Sequence, residues 1–418
     1  MNVLYKLGKE GFDAYLVGGS VRDLIMGNSP KDFDVATDAT PEQLRALFKN
    51  SRIIGRRFKI VHIRYGREII EVTTFRAHHE NVEVIRQSTA TRKFLKHLDS
   101  AHSESGMLLR DNVFGDINDD ALRRDFTINA LYYTVNGFRV LDFCNGFDDI
   151  KNKIIRIVGD PEIRYKEDPV RMLRAIRFAA KLDCSMEKKT LAHIDPLSSL
   201  LGSIPPARRF DETLKLLSNG YGVKTFNLLR QFNIMEFLLP LTKARMTDES
   251  AEARLVELAL KNTDSRLAEG KSITPIFLFA ALLWPALKIS LSDPHSKITP
   301  NLELLRKHAN KLISEQSDYT AIPKRIAVGI REIWELQVRL EKRNPRNVWS
   351  VFAHPRFRAA YDFLLLRVQA GEKLEELSKW WTDFQFSDTN SQQEMLDQVN
   401  SNRTKSRQRR PTSKRRRK

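Results

Sequence analysis

The stretch Lys31-Asp32-Phe33-Asp34-Val35, which follows Gly18-Gly19-Ser20-Val21-Arg22-Asp23 after a short spacer, decides how this chain is read. Side chains alternate along a β-strand, so Asp32 and Asp34 are expected on one face and Phe33 on the other. Two carboxylates held that close repel each other unless a cation lies between them. Hard divalent ions, Mg²⁺ or Mn²⁺, take carboxylate oxygens and leave positions open for phosphate oxygens. Upstream, Ala14-Tyr15-Leu16-Val17 reads as a strand running into a turn. The glycines of that turn let the backbone approach a phosphate closely. Val21 to Met26 is expected to begin a helix, with Arg22 near its positive end. A phosphate cradle followed by metal carboxylates points to phosphoryl or nucleotidyl transfer. An isolated Asp-x-Asp is usually a solvated loop or a capping pair; the ordered series of strand, GGSVRD and DFDV sets this one apart.

That series resembles the signature of the polymerase-β-like nucleotidyltransferases, in the class that holds bacterial CCA-adding enzymes and bacterial poly(A) polymerases. Further segments fit in the same order: EIIEVTTFR (68–76), RRDFTINALYY (123–133), EDPVRMLRAIRFAAKL (167–182) and PPARRFDETLKLL (205–217). AIPKRI (321–326) and HPRFRAAYDFLLLR (354–367) resemble the C-terminal region of the poly(A) polymerases. The resemblance implies an α/β nucleotidyltransferase head with a polymerase-β-like palm, then an all-α body and a disordered basic tail. It implies that Asp125 is the third functional aspartate and that Arg124 contacts the nucleotide. Glu71, on the expected strand Ile69–Thr73, competes with Asp125 for the role of third carboxylate.

The chemistry assigns the remaining candidates. Asp32 and Asp34 would hold the metal and, with Asp125 as the resemblance implies, form the catalytic set. Gly18, Gly19 and Ser20 would cradle the triphosphate, and the Arg22 guanidinium would grip it through bidentate, charge-assisted bonds. Asp168 and Arg171 stand three apart on an expected helix, hence side by side. A carboxylate accepts from an exocyclic amine and a guanidinium donates to a ring nitrogen. Adenine and cytosine present that order and guanine and uracil the opposite one, so the pair selects A or C without separating them. Arg174 and Arg177 continue the spacing toward triphosphate or RNA. Arg208 and Glu212, four apart, are expected to brace this helix.

Composition agrees with a polyanion partner. The 418 residues carry a formal charge of +18, ten of it in the last eighteen residues and the other eight spread over the rest. RNA is the natural candidate. No long apolar segment or secretory signal appears, and Cys144 and Cys184 form neither a metal nor a disulfide pattern, which fits a cytoplasmic protein.

The chain opens on an amphipathic helix marked by Leu4 and Leu7, where members of the class often carry additional N-terminal residues. Ile60–Ile63 and Ile69–Thr73 read as strands joined at Tyr65-Gly66-Arg67. Residues 77–120, polar and holding His78, His79, His97 and His102 without tight ligand spacing, read as a mobile loop rather than a zinc site. From Asp148 the period becomes helical, through 168–182, 207–217, 222–238, 252–262, 274–288, 301–314, 323–342 and 357–382. The five tryptophans read as core anchors. Expected divisions are a catalytic head (1–145), a nucleotide- and RNA-binding neck (146–240), a helical body (241–388) and a disordered tail (389–418). The reading is a template-independent poly(A) polymerase, adding AMP from ATP to RNA 3′ ends with release of pyrophosphate. Its alternatives are a CCA-adding enzyme and a non-catalytic RNA-binding protein on the same frame.

Overall fold

The computed structural model describes residues 1–55, 59–77, 83–85, 100–103, 108–111, 113–244, 246–247, 250–291 and 301–408. They fall into two compact units, Met1–Ile204 with Gln231–Asn233, and Pro205–Arg230 with Ile234 onward.

The first unit is built on a seven-stranded mixed sheet in the order β10-β9-β1-β2-β5-β4-β3. Its strands are β1 (Ala14–Val17), β2 (Asp34–Thr37), β3 (Ser51–Ile54), β4 (Ile60–Tyr65), β5 (Glu68–Thr74), β9 (Leu131–Thr134) and β10 (Arg139–Asp142). The amphipathic helix Asn2–Lys9 buries Val3, Leu4 and Leu7 against Leu16, Val35, Val61, Ile63, Val72 and Leu131. At about 25 cal/mol per Å² of apolar surface, this core is what holds the sheet. Two registers place the site. Val17 of β1 pairs with Asp34 of the antiparallel β2. Asp34 in turn pairs with Glu71 of the parallel β5.

The expected loop 77–120 differs. Its described parts contain β6 (Glu83–Ile85), β7 (Ser100–Ser103) and β8 (Leu108–Asp111) in a three-stranded sheet, and a helix begins at Ile117. Strands of three or four residues are too short to show an alternation in sequence. His78, His79 and His97 lie outside the described residues. Helix Val170–Leu182 buries Met172, Leu173, Ile176, Ala179 and Ala180, as its periodicity requires.

The second unit is helical. Helix Pro275–Leu291 is buried all round from Leu278 to Leu287, the mark of a central element. Helices Ala251–Ala268, Leu302–Tyr319 and Lys324–Leu340 pack on it. Two expected helices are each broken. The 222–238 run divides into Gly222–Gln231 and Met235–Leu238 around Asn233 at φ 56°, and the 357–382 run breaks at Gly371, φ 101°. Both are left-handed positions that end helices. Trp284, Trp334 and Trp381 are buried anchors, but Trp349 is 38% exposed. The stretch from 389, which composition assigns to the tail, is helical over Thr389–Gln408, held by buried Gln392 and Leu396. One apolar side chain and one amide are too little periodicity to register in a polar run. Residues 409–418 lie outside the described residues. No helix among the described residues is long and apolar enough to cross a membrane.

Candidate active site

Between β1 and helix Gly19–Ile25, Gly18 adopts φ 72°, ψ −133°, a conformation open to glycine alone. A Cβ on Gly18 would stand 3.3 Å from Arg124 Nη1, and one on Gly19 would stand 3.4 Å from Arg22 Nη2. The glycine turn is thus flanked by two guanidinium groups, and any side chain there would press on them. Ser20 spends its hydroxyl proton on the Val17 carbonyl (3.0 Å), which tightens the turn.

Arg22 does not project freely as a triphosphate clamp. It is 3% exposed. Its Nε and Nη2 donate to Asp23 Oδ1 (2.9 and 2.6 Å), and its Nη1 donates to Asn129 Oδ1 (2.6 Å). Three of its five N–H groups are engaged, so the charge lies under the turn with two donors left. Asn129 also donates from Nδ2 to Asp125 Oδ1 (3.1 Å), and Arg174 Nε donates to Asp125 Oδ2 (2.6 Å). Burial pushes the Asp125 carboxyl up, but Arg174, Asn129 and Arg171 outweigh it and hold it at about 2. The Phe178 ring gathers the rest: the guanidinium carbons of Arg22, Arg174 and Arg177 lie 5.2, 5.4 and 5.2 Å from its centroid, within cation–π range.

The acidic side is built by register. Burial, then Glu71, then Asp32 push Asp34 up to about 6, with Arg124 opposing them. Asp34 opens β2, but Asp32 precedes the paired strand and is exposed, so the two do not share one regular strand. Glu71 Oε1 lies 3.1 Å from His62 Nε2. Among the described residues, no three His, Cys, Asp or Glu side chains already converge on one point as a metal cluster would. Of the two candidates for third carboxylate, Glu71 is the one set beside Asp34, whereas Asp125 faces Arg174 and Asn129.

Asp168 and Arg171 do not share a helix. Pro169 disfavours helical geometry at the residue before it. Asp168 accordingly takes φ −146°, ψ 95° between helices Pro161–Glu167 and Val170–Leu182, and its Oδ1 accepts from Val170 N (3.3 Å). Arg171 turns toward the preceding helix. Its Nη1 alone donates to Glu167 Oε2 and to the Arg164 carbonyl (2.8 Å each), leaving Nε and Nη2 unspent. Glu167 Oε2 also accepts from Arg164 Nη1 (2.7 Å).

Several contributors escaped the sequence reading: Asp23, Asp120, Asn129, Tyr132, Arg164 and Glu167. Two carried a local signal. Asp120 and Glu167 each stand four residues before a candidate arginine, the spacing of a helical ion pair, and both form it. Asn129 and Tyr132 gave none, because their partners are set by tertiary folding.

Comparison with known proteins identifies the family. Residues 14–156 match the poly A polymerase head domain, 183–246 the probable RNA and SrmB-binding site of polymerase A, and 299–418 the polymerase A arginine-rich C-terminus. The chain is 46% identical over 404 residues to poly(A) polymerase I of Escherichia coli O157:H7, covering 96% of this chain and 84% of that protein. It is 44% identical over 409 residues to the Haemophilus influenzae poly(A) polymerase I, covering 95% and 86%. The CCA-adding enzyme of Lactobacillus helveticus is 37% identical over 236 residues, 56% of this chain and 54% of that one. Among solved structures, a tRNA-processing enzyme in an apo form shares the fold with TM-score 0.61 at 18% identity, covering 94% and 99% of the two chains. The apo CCA-adding enzyme gives TM-score 0.59 at 18% identity, covering 93% and 84%. With near-full-length identity of this order, the chain belongs to the bacterial poly(A) polymerase I family of nucleotidyltransferases.

Proposed function

We propose that this protein catalyses template-independent addition of AMP from ATP to RNA 3′ ends, releasing pyrophosphate, and serves RNA polyadenylation and turnover in the cytoplasm. One observation carries the reading: a glycine turn flanked by Arg22 and Arg124 lies one residue beyond Val17, whose cross-strand partner is Asp34. Donors for phosphate oxygens and carboxylates for a cation thereby meet at one place. The carboxylates suit a divalent ion, because Asp34 is crowded by Glu71 and Asp32 and a cation would relieve that repulsion. Mg²⁺, which binds through one or two carboxylates and completes its shell with substrate phosphates, fits this set better than an all-protein cage does. Asp32 and Asp34 would hold it, with Glu71 beside them. When bound, such an ion supplies charge neutralisation at the attacking and leaving oxygens.

The remaining roles follow from the side chains. Gly18 and Gly19 admit the triphosphate close to the backbone, and Arg22 and Arg124 counter its charge from either side of the turn. These fixed, partly dry charges favour the transition state in which the α-phosphate gathers charge as the RNA 3′-hydroxyl attacks. Arg171 offers its unspent Nε–Nη2 edge, and Asp168 an acceptor, to the Watson–Crick edge of the base. Arg174 holds Asp125 where a ribose would lie, and Arg177 extends the positive surface toward RNA. Residues 1–145 would carry the chemistry, and 146–240 nucleotide and RNA binding. The test is incubation with each NTP separately and short RNA primers. Long ladders with ATP alone are expected. Addition limited to two C and one A on tRNA would mean a CCA-adding enzyme, and no extension with any NTP would mean a binding protein.

A further inference from the structure

Arg124 is held by a closed triangle that no motif reading identifies. Its Nε donates to the Tyr132 hydroxyl (2.7 Å), its Nη2 donates to Asp120 Oδ2 (3.0 Å), and the Tyr132 hydroxyl donates to the same Asp120 oxygen (2.7 Å). The third nitrogen, Nη1, reaches the Asn129 carbonyl at 3.5 Å and is the one that flanks Gly18. Two N–H groups, one on each Nη, remain for a ligand.

The triangle is fixed from independent directions. Tyr132 is fully buried in β9, opposite Val17 in register, and its ring is wedged edge-on against Tyr15 (centroids 6.1 Å apart) and Phe143 (5.9 Å). Burial pushes its phenol far above the ordinary tyrosine range, so the hydroxyl keeps its proton and can donate to Asp120 while accepting from Arg124. Asp120 lies on helix Ile117–Leu122 and also accepts from the main-chain N–H of Arg76 (3.3 Å).

We infer that Tyr132 and Asp120 are positioning residues for nucleotide binding: neither meets the nucleotide, and together they aim the Arg124 guanidinium at the glycine turn. The inference rests on the proposed role of Arg124 at the triphosphate. Removing the Tyr132 hydroxyl leaves the Arg124 Nε–H without its acceptor and frees the guanidinium to rotate, while the ring continues to fill its place in the core. A tyrosine that served packing alone would lose stability on truncation, but its hydroxyl would have no bearing on ATP affinity.

The experiment is a double-mutant cycle of Tyr132→Phe and Arg124→Ala on the full-length protein. The readout is equilibrium binding of ATP in Mg²⁺ buffer without primer, with thermal melting run alongside. Tyr132→Phe should weaken ATP binding by roughly tenfold, as expected when a buried charged donor loses its partner. In the Arg124→Ala background the same change should have no further effect, since there is no guanidinium left to aim. Asp120→Asn should fall in the same class as Tyr132→Phe. Unchanged ATP affinity in Tyr132→Phe, or an equal loss with and without Arg124, would overturn the positioning role while leaving Arg124 at the nucleotide. Unchanged affinity in Arg124→Ala would overturn both that placement and the inference.

Discussion

Replacing Asp34 with Asn should make the protein more stable and inactive at once. Asp34 is raised from 3.8 to about 6, with burial as the main cause and Glu71 and Asp32 adding to it. At 1.36 kcal/mol for each pKa unit, ionising it in the folded state costs about 3 kcal/mol more than in the unfolded chain. The side chain is partly solvated, so about 1–3 kcal/mol is the usable range. Because the folded pKa lies above the unfolded one, the penalty vanishes by about pH 3, where both states are protonated. It grows as pH rises through the folded value and is complete above about pH 7. The amide has similar size and no charge. Without metal, Asp34→Asn should therefore melt roughly 2–12 °C higher than wild type at pH 8, taking ~2–4 °C for each kcal/mol in a unit of this size. The two should melt together near pH 3. Millimolar Mg²⁺ should raise the wild-type midpoint and close the gap, and should leave the variant unmoved. Melting curves at three pH values, with and without Mg²⁺, decide the matter. A variant no more stable than wild type at pH 8, or a difference independent of pH, would refute the crowded-carboxylate argument.

Three further outcomes are expected. Gly18→Ala forces a side chain into a glycine-only conformation and against Arg124, so it should cost about 1–3 kcal/mol of stability and weaken ATP binding more than RNA binding; unchanged ATP affinity in a folded variant would count against the cradle. Arg171→Ala should relax discrimination among NTPs by roughly 1–3 kcal/mol as well as slow turnover, and a variant slowed equally with all four, its preference intact, would mean that Arg171 only joins two helices. Deleting Asn402–Lys418, which carries the ten tail cations, should weaken RNA binding and flatten its salt dependence while single-turnover chemistry at saturating RNA persists; paired salt titrations with the same slope would assign the tail elsewhere.

Local features of the head were legible in the sequence because each is enforced within a few residues. Gly18 had to be glycine for a turn of positive φ, the hairpin from Ile60 to Thr74 announced itself by strand propensity around Gly66, and Leu4 and Leu7 repeat at helical spacing. The break at Pro169 was equally local and went unread, although proline's effect on the preceding residue is a near-neighbour clash. What could not be read is pairing at a distance. Arg22 and Asn129 meet across 107 residues of chain, and nothing in either segment announces the other.

A rule nevertheless emerges from how the site's arginines are held. Arg22 leans on Asp23, Arg124 on Asp120, and Arg171 on Glu167, each acid within four residues of its partner and each pair mostly withdrawn from solvent. Each acid engages one or two nitrogens and leaves other N–H groups for a ligand. In the proposed role, a guanidinium fixed in this way would lose little side-chain entropy when a phosphate or base arrives. On the proposed reading the acids shape the site without entering it, and two of the three announce themselves as a carboxylate four residues before an arginine. In a chain so rich in arginine, the guanidinium groups proposed to meet nucleotide are to be sought among those held by a neighbouring acid, rather than among the exposed ones.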